Sequence, residues 1–167
     1  DNEEVGSMTK QGADSSFLRC TLERISAELG RSREEFMESL TSSFMISADN
    51  AHAVHPNHPE LEDPSHRPVP NGGIVIKYSA NQKYTTDAVS GAVMKEICRK
   101  AGVPVQIFYN RSDLLGGSTL GNLSTSQLSL NTVDVGLAQL AMHSSYETAG
   151  VKDTEYLARA CEVFFSG

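Results

Sequence analysis

One carboxylate and two imidazoles fall within seven residues at Asp49, His52 and His55, in the run Ser47-Ala48-Asp49-Asn50-Ala51-His52-Ala53-Val54-His55-Pro56-Asn57. Carboxylate and neutral imidazole are the usual oxygen and nitrogen ligands of zinc. Imidazole also positions substrates or moves protons. The same residue types cap turns and satisfy loop backbone, so the spacing alone leaves both readings open. Glu3 and Glu4 are adjacent. They read either as two solvated acids or as a divided pair, one a metal ligand and the other a general base. In the second case the pair needs a nearby cation to stay ionised side by side, because like charges raise one another's pKa. Lys77 finishes an apolar run and either snorkels to water or holds an anion. Gly116-Gly117-Ser118-Thr119-Leu120-Gly121 lets backbone approach a ligand closely. Phosphate binding is the weaker alternative there, since the P-loop needs Lys after the last glycine and Asn122 stands in that place. His143 follows the apolar Leu140-Ala141-Met142 and reads as a loop or core histidine or as a ligand.

The elements that must position these groups are legible from periodicity. Residues 11–29 carry Leu18, Leu22, Ile25 and Leu29 at helical spacing, with Gly30 as the stop. Ser32-Arg33-Glu34-Glu35 is a capping box opening a short helix with Phe36 and Leu40. Residues 44–48 form a strand that delivers Asp49, and strand ends in α/β sheets are where polar groups converge on ligands. Residues 58–71 are a loop rich in Pro, His and acids, and residues 74–79 are a strand. Thr86 or Asp87 caps a helix to Ala101, with Val89, Val93 and Ile97 expected on its buried face. The strand at 103–109 completes a β-α-β unit, for which parallel pairing is the default. A short helix is expected at 118–128 and a strand at 132–136. Asp153 is expected to cap a last amphipathic helix with Leu157, Cys161 and Phe164 inward. The pattern predicts a three-layer α/β/α domain with a mixed, largely parallel sheet.

The 167-residue chain has one domain's length and a net charge of −7 without a basic cluster, which argues against a nucleic-acid surface. No apolar run reaches the length of a spanning helix, so no membrane role is expected. Cys20, Cys98 and Cys161 are widely spaced and lack zinc-finger spacing. Buried thiols in a reducing, cytoplasmic setting are expected. The chain starts directly in a charged segment, which suggests a piece of a longer protein.

Together these motifs resemble the aspartyl aminopeptidases, dinuclear-zinc exopeptidases with an α/β/α catalytic domain. The resemblance rests on Asp1-Asn2-Glu3-Glu4-Val5-Gly6-Ser7, the Ser47–Asn57 run, Ile76-Lys77, Asn81-Gln82-Lys83-Tyr84, Gly117-Ser118-Thr119-Leu120-Gly121 and Ala141-Met142-His143-Ser144, in family order over nearly the whole chain. It implies that residues 1–167 are the C-terminal portion of a single metallopeptidase catalytic domain. It implies Glu3 as general base and Glu4, Asp49 and His143 as metal ligands. It also implies that His52, His55, Lys77, Tyr84 and Gly121 bind substrate, with Lys77 a partner for an acidic N-terminal side chain. Two zinc ions, with cobalt or manganese as substitutes, would activate the water that attacks the first peptide bond. Peptides would be the substrates, and the full-length protein a homo-oligomer. The family's upstream His ligand and metal-bridging Asp have no counterpart in this chain, so the rival reading is a catalytically incomplete assembly half. Leu115-Gly116-Gly117 and Gly121-Asn122 depart from the family's loop, as Ser144-Ser145-Tyr146-Glu147 departs from its last motif. Those departures bear on the pocket wall.

Overall fold

The structure, a computed structural model, describes residues 6–167. Four strands build the central sheet: β1 (Phe44–Ala48), β3 (Ile74–Tyr78), β4 (Val105–Tyr109) and β5 (Asn131–Gly136), in the order β1-β5-β3-β4. β1 runs parallel to β5, from Phe44 opposite Asn131 to Ala48 opposite Val135. β3 runs parallel to β4, from Ile74 opposite Val105 to Tyr78 opposite Tyr109. The centre is antiparallel, with Ile76 of β3 opposite Val135 of β5, so the sheet is mixed. A second, small sheet is formed by β2 (Ala51–His52), β6 (Ala138–Leu140) and β7 (Thr148–Ala149).

Strand alternation divides the molecule into layers. Ile74 and Ile76 of β3 and Val133 and Val135 of β5 face helices α3 (Ala88–Ala101) and α5 (Val151–Ser166), where Met94, Ile97, Cys98 and Ala160 complete the main core. The alternate residues face the other way. Val75 and Phe108 pack there with Tyr84, Ala51, Ala53 and Ala138 of the small sheet and its flanks. Helix α4 (Leu120–Leu128) covers the same face near β5 and β1. Beyond it, α1 (Phe17–Glu28) and α2 (Arg33–Thr41) close a third cluster of Phe36, Leu40 and Leu128 with Leu18 and Leu22.

Several elements differ in detail from the sequence reading. Helix α1 starts at Phe17 rather than near residue 11, because residues 7–15 form successive turns, among them Gly12 N–H to Thr9 O at 3.0 Å and Ser15 N–H to Gly12 O at 3.0 Å. Helix α3 is rotated from the expected face: Ser90, Gly91, Met94, Ile97, Cys98 and Ala101 are buried, whereas Val89 is 72% exposed. Its start is fixed by the Asp87–Ser90 capping box. Gly91 is then pressed on Tyr78, whose hydroxyl lies only 2.1 Å from where a Cβ would sit. Asp153 does not cap α5, since Gly150 holds the cap position. Asp153 is instead fully buried in the first turn and accepts Asn71 N–H at 2.6 Å and Gly73 N–H at 3.0 Å. That clamp fixes the loop entering β3. All three cysteines are free, but only Cys98 is buried. Among the described residues no helix is long and apolar enough to cross a membrane.

Candidate active site

Helix α4, the β3 and β4 strands and the small sheet leave a cleft of about 320 Å³, lined by Asp49, Asn50, Ala51, His52, Lys77, Tyr84, Phe108, Gly117, Ser118, Thr119, Leu123, Met142 and His143 together with Ser7. Asp49 and His143, 94 positions apart in sequence, thus meet in one place. Asp49 is delivered by the end of β1, and its N–H donates to Val135 O of β5 at 3.0 Å. His52 closes β2, and its ring lies 6.4 Å from that of Phe108. Tyr84 is 6% exposed, with Asn110 Nδ2 donating to its hydroxyl at 3.4 Å.

Of the two expectations for Lys77, the one in which its ammonium reaches water is not met. The side chain does not snorkel, being 2% exposed at the cleft floor. Its ammonium donates to Asp49 O and Asn50 O, both at 3.3 Å, stands 3.5 Å from Asp49 Oδ2, and sits 5.2 Å from the Tyr84 ring centre. A buried ammonium is costly unless paired and hydrogen-bonded, and these contacts meet that need. His143 stands on a tight turn in which Ala141 and His143 both adopt positive φ, 56° and 67°. Its N–H donates to Glu147 Oε1 at 2.6 Å. Side-chain-bearing residues rarely hold such angles, and those that do cluster at functional sites.

The charges in the cleft act on one another. Burial lowers the His52 pKa below its ordinary 6.5, electrostatic interaction with His143 and with Lys77 lowers it further, and Asp49 opposes them. Burial raises the Tyr84 pKa above 10, partly offset by the Asn110 hydrogen bond and reinforced by Asp134, Asp49 and Glu62. His52 is therefore held toward the neutral imidazole and Tyr84 toward the neutral phenol.

Asp49, His52, Lys77, Tyr84 and His143 are thus brought together. His55 and Gly121 are not among the lining residues. His55 accepts Asn57 N–H at Nδ1 at 3.2 Å, and its ring lies 5.4 Å from that of His58. Gly121 is buried in the first turn of α4, where an added Cβ would sit 2.7 Å from Asp134 Oδ1 and 2.8 Å from Ser47 Oγ. Close packing on the sheet is why that position is glycine. Glu3 and Glu4 lie outside the described residues. As a zinc site, the carboxylate of Asp49 and the imidazole of His143 have fitting donor chemistry. Among the described residues, however, no group of three or more His, Cys, Asp or Glu is placed to hold an ion. The sequence reading passed over Asn50, Phe108 and Met142 as cleft residues. It also passed over Asp134, although an acid at the centre of the apolar strand Thr132-Val133-Asp134-Val135 was a visible signal.

The family model described as "Aminopeptidase I zinc metalloprotease (M18)" matches residues 1–165. The chain belongs to the M18 family. It is 54% identical over 166 residues to a "Probable M18 family aminopeptidase 2" of Clostridium acetobutylicum, covering 99% of this chain and 38% of that protein. The corresponding protein of Mycobacterium tuberculosis is 45% identical over 166 residues, with the same shares covered. M18 structures superpose closely. One of "the Ape4 and Nbr1 complex" gives a TM-score of 0.95 at 42% identity, covering 99% of this chain and 31% of that one. One of the S. cerevisiae "mApe1 dodecamer" gives 0.86 at 35% identity, covering 99% and 36%. The chain therefore spans less than two fifths of the length of these M18 relatives.

Proposed function

We propose that this chain forms part of a zinc-dependent aminopeptidase that removes N-terminal residues, acidic ones preferred, from peptides. The observation that carries the reading is the meeting of Asp49, His52, Lys77, Tyr84 and His143 in one cleft around a buried ammonium. Asp49 and His143, with Glu4, are the residues that would hold the metal, two zinc ions in the complete enzyme, with cobalt or manganese able to substitute. Bound zinc supplies a Lewis acid that brings the pKa of water near neutrality. Glu3 takes a proton from the attacking water and returns it to the leaving amine. Lys77 offers a desolvated positive charge to an acidic side chain or carbonyl oxygen of the substrate. Neutral His52 and Tyr84 donate or accept hydrogen bonds at the cleft wall, while His55 supports the loop behind His52 and Gly121 sets the depth of the wall at α4. The complete protein assembles as a homo-oligomer in a reducing, cytoplasmic setting.

The test is Glu3→Gln in the full-length protein. Turnover of peptides with N-terminal Asp or Glu is lost while zinc content stays that of the wild type. Retained turnover after complete zinc removal would overturn the reading. A second reading is favoured by the chain spanning less than two fifths of the length of its M18 relatives: residues 1–167 alone are a catalytically incomplete assembly half. Zinc titration of that polypeptide decides it, since tight binding with turnover would eliminate this alternative.

A further inference from the structure

Asp134 lies on β5 directly beneath the cleft and is fully buried, yet it is not one of the lining residues. Burying a carboxylate is unfavourable unless donors meet it. Here the donors come from two separate segments. Thr85 gives its N–H to Oδ2 at 2.6 Å and its hydroxyl to the same oxygen at 2.8 Å. Thr119 gives its hydroxyl to Oδ1 at 2.7 Å. The backbone of Asp134 is engaged as well, its N–H donating to Thr86 Oγ1 at 2.8 Å. Thr119 is also the N-cap of α4, so the carboxylate sits by the N-terminal end of that helix, where negative charge is favoured.

These partners are the two flanks of the cleft. Thr85 follows Tyr84, whose ring covers the Lys77 ammonium. Thr119 ends the Gly117-Ser118-Thr119 stretch that lines the cleft. The partners are 49 and 15 residues from Asp134 in sequence, so neither contact follows from local chain geometry. The same strand also holds Asp49, through Val135 O. Hydrogen bonds to a charged acceptor are short and directional, which suits a brace better than packing alone.

We propose that Asp134 is a positioning residue, a buried brace that fixes the Tyr84 segment and the Gly117–Thr119 segment relative to each other and thereby sets the substrate-binding shape of the cleft. Its substrate arm rests on the aminopeptidase reading above, and its coupling arm does not. A carboxylate with only a structural role would stabilise the fold, and its loss would leave substrate affinity alone.

The experiment compares full-length wild type, Asp134→Ala, Asp134→Asn and Thr85→Val by amide hydrogen exchange and by steady-state kinetics on an N-terminally acidic peptide. In Asp134→Ala, exchange at residues 84–86 and 117–121 accelerates together by tenfold or more, while residues 74–78 keep wild-type protection. KM rises about tenfold with kcat changed less than threefold and zinc content unaltered. Asp134→Asn recovers part of both effects, because an amide oxygen still accepts from Thr85. Acceleration in only one segment, or unchanged KM in variants with faster exchange, overturns the proposal. Should Asp134→Ala fail to fold, Thr85→Val carries the same two readouts, since it removes the hydroxyl donor to Asp134 Oδ2 at a residue that does not line the cleft and keeps the shape. Should the zinc-loaded wild type show no peptidase activity, the function proposed above falls, and the coupled exchange alone decides the brace.

Discussion

Gly121→Ala gives the sharpest energetic test of how α4 is seated. The new methyl would lie 2.7 Å from Asp134 Oδ1, 2.9 Å from Asp134 Oδ2 and 2.8 Å from Ser47 Oγ. Overpacking of a filled site costs about 1–3 kcal/mol, and the upper end applies when the neighbour cannot yield. Asp134 cannot yield freely, because Thr85 and Thr119 hold both of its oxygens. Ala is the better helix former in a helix interior by about 1 kcal/mol, which works in the opposite direction. The steric cost wins, leaving a net loss of about 2 kcal/mol. Urea unfolding of the full-length protein measures it as a lower midpoint at unchanged slope. Gly117→Ala is the control: nothing lies within 4 Å of its added Cβ, so its effect stays within about 0.5 kcal/mol. Adding Ser47→Ala to Gly121→Ala removes one of the three close contacts and restores less than half of the loss. A Gly121→Ala protein as stable as wild type would refute the close approach of α4 to β5, and with it the seating of Thr119 on Asp134.

Three further outcomes are expected. Lys77→Met removes a charged contact worth about 1.5–3 kcal/mol, so kcat/KM for peptides with an acidic N-terminal residue falls by about a hundredfold. Peptides with a neutral N-terminal residue lose much less, and equal losses would show that Lys77 does not read the side chain. Asp153→Ala leaves the N–H groups of Asn71 and Gly73 without their acceptor and destabilises by about 3 kcal/mol, read by urea unfolding. Burial pushes the Cys98 thiol up to about 11, so in the native protein it stays unmodified by a thiolate-selective reagent at pH 8. Cys20, which is exposed, is labelled under the same conditions. Peptide mapping of the labelled protein distinguishes the two, and early modification of Cys98 would contradict its burial.

Much of the frame was legible because local chemistry decides it. Ser32 with Glu35 is a capping box in sequence and in space, Ser32 Oγ accepting Glu35 N–H at 3.2 Å and Glu35 Oε2 accepting Ser32 N–H at 2.7 Å. The β-branched runs at 74–78 and 105–109 became parallel neighbours joined by α3, as their crossover connection requires. The rotation of α3 was not legible. Val89 and Val93 look like core residues by hydropathy, yet Ser90 and Gly91 are the ones turned inward, because the Tyr78 hydroxyl needs the space. The three short strands of the small sheet also escaped notice, since two or three residues carry no detectable period.

The sequence by itself determined the family, the helices and long strands, and the set of residues able to do chemistry, all of which depend on residue type and short-range spacing. Tertiary structure alone decided which of those residues share a cleft. It buried the Lys77 ammonium against carbonyls 27 and 28 positions away, brought Asp49 and His143 into the lining of one cleft, and left His55 outside that lining. It also placed Asp134 under both flanks of the cleft. Those choices follow from contacts between segments distant in sequence, made where burial leaves a polar group no partner except one that the fold brings to it.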